Sequence, residues 1–272
     1  MAHCLEMLSL PFQPFIEHPS LLWEMTKRDV LGRYRGASFG LLWALLSPFL
    51  MLCVYTIAFG FVLKSKWPHA VDSKANFALI LYVGLIVHGF FAECLVRSPQ
   101  LVLGNPNFVK RVIFPLDVLP WSMILSATFH ALVNMLVFVI LHTITAGPPP
   151  LTVILFPIVL LPLIVLAAGV AWFLASLGVY LRDVNQIMGV VAAALLFLSS
   201  AIVPLDALPE RYHLLFRLNP LTFIIDQARN VALWGVAPDW AGLGIYAAIS
   251  VVVMYLGCAW FRATRAGFAD VI

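Results

Sequence analysis

Residues 41–63 read LLWALLSPFLMLCVYTIAFGFVL, twenty-three positions without one charged side chain. A hydrocarbon layer about 30 Å thick is crossed by roughly twenty helical residues, so this stretch predicts a transmembrane helix. Five more runs of the same kind lie downstream. They cover about Phe77–Val96, broken only by His88 and Glu93 near its end, then about Val118–Ala146 and Leu151–Leu181. After the polar step Arg182-Asp183 a fifth runs from about Ile187 to Pro204, and the last from about Ala241 to Phe261. The predicted fold is therefore an all-α integral membrane protein with six transmembrane helices, one membrane-spanning domain over residues 1–272. Composition agrees. Hydrophobic residues make up 62% of the chain and charged residues 11%, against about 45–50% and 25% in soluble domains. A soluble core cannot hold that much apolar surface.

Between the fifth and sixth runs, residues 205–238 carry Asp206, Glu210, Arg211, Arg217, Asp226 and Arg229, punctuated by Pro209 and Pro220. The segment is too polar to span. It is also too apolar for a solvated loop, because Leu214, Leu215, Phe216, Leu218, Leu221, Phe223 and Ile225 need cover. A re-entrant pair of short helices, its backbone satisfied by surrounding protein, answers both demands. Lysine and arginine near the span ends set the orientation. Ten of the sixteen fall on one side, in residues 27–35, 97–111, 182 and 262–265, and six on the other. Both termini are thus expected in the cytoplasm of a bacterial inner membrane, with the re-entrant segment outside. MAHCLEMLSLPFQPFIEHP at the start has no basic stretch followed by an apolar run, so it does not read as a cleavable signal.

Residues 19–36, PSLLWEMTKRDVLGRYRG, place Leu21, Leu22, Trp23 and Met25 early and basic residues late. They read as an amphipathic helix in the membrane plane or as a plain basic flank. Of the ionisable groups within the spans, Glu93 precedes Arg97 by four residues, the favourable order for a helical ion pair. Ser126, His130 and Asn134 share one face of the third span, as helix-packing groups or as the wall of a water-lined path. The cysteines Cys4, Cys53, Cys94 and Cys258 stand singly and read as reduced thiols. There is no GxxxxGK[ST] loop, HExxH or GxSxG, so the chain offers neither a phosphate cradle nor a hydrolytic constellation. No catalytic, metal or cofactor residue is assigned. Tyr55, Phe59, Phe129 and Phe197 lie deeper than the interfacial tryptophans, and serve either packing or a channel wall.

Four collinear stretches carry a resemblance. Arg33-Tyr34-Arg35-Gly36-Ala37-Ser38-Phe39-Gly40-Leu41-Leu42-Trp43 with Ser47-Pro48 is the first, and Asn107-Phe108-Val109-Lys110-Arg111 with Phe114-Pro115 the second. Arg182-Asp183-Val184-Asn185 and Asn219-Pro220-Leu221-Thr222 complete the set. Together they resemble the polysaccharide-exporting ABC transporter permeases, of which O-antigen permeases look nearest and capsule and teichoic acid permeases are relatives. The resemblance implies a homodimer joined to two copies of a separate ATP-binding subunit, where ATP and magnesium are held. It implies export of a polyprenyl-diphosphate-linked polysaccharide across the inner membrane. By the same resemblance, the interface helix 19–36 and the cytoplasmic loop 97–117 meet the ATPase through Lys27, Arg28, Arg33, Arg35, Asn107, Lys110 and Arg111. Tyr55, Phe59, Phe129 and Phe197 would line the channel. Arg211, Arg217 and Arg229 would meet the carrier diphosphate, although Asp226, three residues before Arg229, offers it an ion pair instead. A drug or lipid exporter of the same architecture is the nearest rival, followed by a membrane-embedded transferase and a gradient-driven transporter.

Overall fold

The computed structural model describes residues 10–55, 57, 74–109, 114–205 and 208–271. Every regular element among them is helical. Prolines and short polar side chains decide where the helices begin. Helix α1 (Pro19–Gly32) opens on Pro19, at a position where a helix makes no use of an N–H. Helices α2 (Trp43–Tyr55), α3 (Lys74–Arg97), α4 (Val118–Ala146), α5 (Phe156–Tyr180) and α6 (Val184–Phe197) follow. At α7 (Pro220–Arg229) the Asn219 side chain accepts from the Leu221 N–H, and at α8 (Trp240–Thr264) Asp239 does the same for Gly242.

Four stretches among the described residues are long and apolar enough to cross a bilayer: Phe77–Arg97, Val118–Ala146, Leu151–Tyr180 and Trp240–Val271. Two apolar helices are shorter, Trp43–Val54 and Val184–Phe197. The first predicted span runs out of the described residues beyond Tyr55, apart from Ile57. The fifth departs from expectation, since its helix starts earlier, at Val184, and stops at Phe197 rather than near Pro204. Side chains take the carbonyls that another helical turn would use. The Asn219 amide donates to the Leu195 and Leu198 carbonyls at 2.9 and 3.0 Å, and the Ser199 hydroxyl donates to the Leu196 carbonyl.

The core runs between the helices rather than around a centre. Trp172, Phe138, Phe156 and Phe261 are fully buried in it. The α3 span is the most enclosed, 67% buried over its apolar window, whereas that of α8 is 28% buried and turns Ile245, Val252 and Leu256 outward. Such an apolar exterior is stable only in lipid. Helices α5 and α8 make the closest approach: a Cβ at Gly169 would stand 2.6 Å from the Met254 backbone nitrogen, and one at Gly257 would collide with the Gly169 carbonyl. Small residues at such crossings bring two backbones into direct contact.

Candidate functional site

The end of the bundle carrying α1, the 97–117 loop and the last turns of α8 holds most of the charged side chains that pair. Helix α1 lies along α4 with Leu22, Met25 and Thr26 buried, while Trp23 stays 66% exposed. One face seeks protein and the other lipid or water, which is what the amphipathic reading requires. Asp29 near the end of α1 accepts from Arg97 at 2.6 Å, Arg97 also donates to Glu93 at 2.8 Å, and Glu93 accepts from Arg33 on the same oxygen. The expected Glu93–Arg97 pair is therefore the middle of a four-member ladder of alternating charge that fastens α1 to the end of α3. Beyond it the Tyr34 hydroxyl lies 3.3 Å from His130 Nδ1 on α4. Burial pushes that hydroxyl above the usual tyrosine range, so it keeps its proton and is available as a donor.

The described part of the 97–117 loop contains two four-residue helices, Gln100–Leu103 and Pro106–Val109. The Phe108 ring stacks on Phe114 at 4.3 Å, and the Arg28 guanidinium sits 5.6 Å from the Phe108 centroid. A cation over an aromatic face thus joins the interface helix to the loop. The loop is also held from the C-terminal side. Arg265 donates to the Phe114 carbonyl, and Arg262 bonds to Asp117, the Leu10 carbonyl and Gln13. Lys27, Arg35 and Asn107 are exposed beside this assembly. Lys110 and Arg111 lie outside the described residues.

At the opposite end, α7 is the anchored part of the 205–238 segment. Leu221 and Ile225 are fully buried and Phe216 nearly so, but Leu214 and Leu218 are 69% and 72% exposed. Arg211 lies over the Tyr212 ring at 4.7 Å and Arg217 is exposed. Arg229 is different. It is 3% exposed, and it donates to the carbonyls of Ile80 on α3 and of Ser200 and Ala201 in the turn after α6, at 3.1, 2.6 and 2.8 Å. Asp226 stands 3.9 Å away. The Arg229 guanidinium is committed to these interior carbonyls. It clamps α7, α3 and the turn after α6 together.

Phe129 and Phe197 are 40% and 67% exposed on α4 and α6. The Tyr55 side chain and Phe59 lie outside the described residues. Among the described residues no group of His, Cys, Asp and Glu is placed to hold a metal ion. Sequence reasoning missed Asp29 and Arg33 as partners of the third helix, and missed Ile80, Ser200 and Ala201 as the acceptors of Arg229. Main-chain carbonyls leave no mark in a residue pattern, and a partner sixty positions away has no register with its mate.

Long apolar helices with a charged, cross-braced platform at one end describe a multi-pass membrane protein. The chain belongs to the ABC-2 type transporter family, which matches residues 20–233. It is 25% identical over 258 residues to the O-antigen export system permease protein RfbA of Myxococcus xanthus, covering 94% of this chain and 96% of that protein. A Klebsiella pneumoniae RfbA is 23% identical, with 93% and 95% covered. The polysialic acid transport protein KpsM of Escherichia coli is 24% identical over 240 residues, with 86% and 90% covered.

Proposed function

We propose that this chain is the transmembrane subunit of an ATP-driven exporter that moves a polyprenyl-diphosphate-linked polysaccharide, O-antigen in particular, across the bacterial inner membrane. The observation that carries the reading is near end-to-end similarity to proteins named for O-antigen export. These residues carry no phosphate-binding loop, and the similarity to proteins named as permeases supports ATP hydrolysis on a separate subunit. In this reading α2 and α6 complete a six-span topology with both termini cytoplasmic, α7 and its preceding turn form the outer re-entrant segment, and two copies pair about the channel.

The platform at the basic end then receives the ATPase through Lys27, Arg28, Arg33, Arg35, Asn107, Lys110 and Arg111. Closure of two ATPase subunits on ATP pulls this platform. The charge ladder passes the displacement from α1 to α3, and the first and fifth spans of each protomer part at the dimer axis. Tyr55, Phe59, Phe129 and Phe197 offer aromatic faces to the passing sugar rings. Arg211 and Arg217, both exposed, are the cations left for the carrier diphosphate, with Arg229 holding the segment in place.

Deleting the gene and resolving surface polysaccharide on a gel tests the reading. Loss of long-chain lipopolysaccharide, restored by the intact gene, is the expected result. An intact ladder with missing capsule would favour the second reading, capsule export, which the KpsM similarity motivates. If every surface glycan were unchanged, a drug or lipid exporter would take first place.

A further inference from the structure

A cleft of about 610 Å³ opens between α2, α3 and α4 beside the charge ladder, with Met51 on its wall 54% exposed. Its polar wall combines the Arg33–Glu93 ion pair with uncharged groups. The Tyr82 hydroxyl and His130 Nε2 are buried there without a hydrogen-bond partner, on side chains 4% and 7% exposed. Ser47 and Asn134 also line it. A buried donor or acceptor left unsatisfied is destabilising, so two beside one space favour an occupant that reaches them. The remaining wall is apolar and aromatic, with Trp43, Met51 and Phe90 prominent.

The chemistry of the occupant follows from the charges. Arg33 and Glu93 at the rim are paired with each other, and Glu93 with Arg97. The cation lining the cavity among the described residues, Arg33, is already paired with Glu93, so a phosphate or diphosphate would have to compete with that carboxylate. A hydrocarbon tail would leave Tyr82 and His130 unsatisfied. Water at about 30 Å³ per molecule fills such a space with on the order of twenty molecules, which the hydroxyls of a ligand would displace. A neutral polyol fits: each hydroxyl both donates and accepts, and the C–H face of a pyranose packs on aromatic rings. The volume has room for on the order of two or three hexose rings at interior packing density.

We infer that this cavity is a saccharide subsite that takes the carrier-proximal sugars of the transported glycan before they enter the channel between protomers. The inference rests on the polysaccharide-export reading above. It separates sugar recognition, on α2, α3 and α4, from the diphosphate contacts assigned to Arg211 and Arg217.

The test is site-specific photocrosslinking in cells that make the glycan, with the permease and its ATPase at native levels. A photoreactive residue replaces Met51 in one strain and the exposed Phe197 in another. The subsite predicts glycan-bearing adducts at position 51 that vanish in a strain unable to synthesise the glycan. They should fall about tenfold in Tyr82→Phe/Asn134→Leu, which removes two hydrogen-bonding groups at nearly constant shape. Unchanged membrane level and ATPase association in that variant separate a lost site from a lost fold. A variant that fails this control is replaced by Asn134→Leu alone, judged by the same adduct. Glycan adducts at 197 but none at 51 would overturn the subsite and leave export standing. Adducts at 51 that persist without glycan synthesis, carrying a glycolipid headgroup or plain phospholipid, would overturn it too. If gene deletion leaves every surface glycan intact, the export reading fails and the subsite falls with it.

Discussion

Gly84 on α3 makes room for Arg229 on α7: a Cβ at position 84 would stand 2.7 Å from the Arg229 Nη2 and 3.0 Å from the Ala201 Cα. The missing side chain is what lets the guanidinium reach carbonyls on two other elements at once. Gly84→Ala gains about 1 kcal/mol of helix propensity but overpacks a closed site, where about 1–3 kcal/mol is lost. The clash also displaces a charged hydrogen-bond donor, so the net change is expected to be destabilising. Thermal unfolding of the purified protein in lipid nanodiscs measures it, and an Ala variant as stable as the parent would contradict the clamp.

Removing the guanidinium should be worse. Arg229→Met leaves the carbonyls of Ile80, Ser200 and Ala201 without this donor, a loss of at least about 3 kcal/mol. Arg229→Lys should recover only a part, because one ammonium cannot span acceptors on α3 and in the turn after α6. Protease accessibility of the 208–238 segment in the two variants reports the local consequence: both should be cut faster, Met more than Lys.

The ladder at the other end is partly exposed, with Arg97 at 31% and Asp29 at 28% side-chain exposure. Solvent screening limits its worth. A double-mutant cycle on Asp29→Asn and Arg97→Gln should give a coupling energy of about 0.5–1 kcal/mol that shrinks in high salt. Glu93→Gln should cost more than Asp29→Asn, because Glu93 serves both Arg33 and Arg97. Melting temperatures at two salt concentrations decide both points.

Lys110→Glu with Arg111→Glu is expected to uncouple the two halves of the exporter. ATP hydrolysis by the reconstituted complex should persist while glycan export drops about tenfold, a typical coupling magnitude. Normal surface glycan in the double variant would remove the coupling role from these residues.

Much of this was legible in the sequence. The third run was drawn at Val118–Ala146 and α4 has those bounds. The Asn219-Pro220 pair that begins α7 is a capping residue followed by a first-turn proline, a local signal that needs no tertiary context. The Glu93–Arg97 pair was visible because its partners share a helix face. Elsewhere the determining contact came from far along the chain. The early stop of α6 depends on an amide from Asn219, more than twenty residues later, and the hydropathy of Leu198–Pro204 carries no trace of it. The cavity beside His130 borders the stripe of Ser126, His130 and Asn134, which the sequence leaves open between helix packing and a water-lined path. Ser126 is buried without a partner and does not line the cavity, whereas the other two do.

The backbone contact of α5 with α8 at Gly169 and Gly257 has a mechanical meaning. Two helices that touch main chain to main chain have no compressible side-chain layer between them, so they resist shear more than helices separated by side chains. Work delivered at one end of a body goes into its compliant parts. Any stroke from an attached motor would therefore leave α5 and α8 standing as a stator and be taken up by the opposite half. Gly257→Ala, by prying the pair apart, would soften the stator and waste the stroke without touching a residue that meets ATPase or cargo.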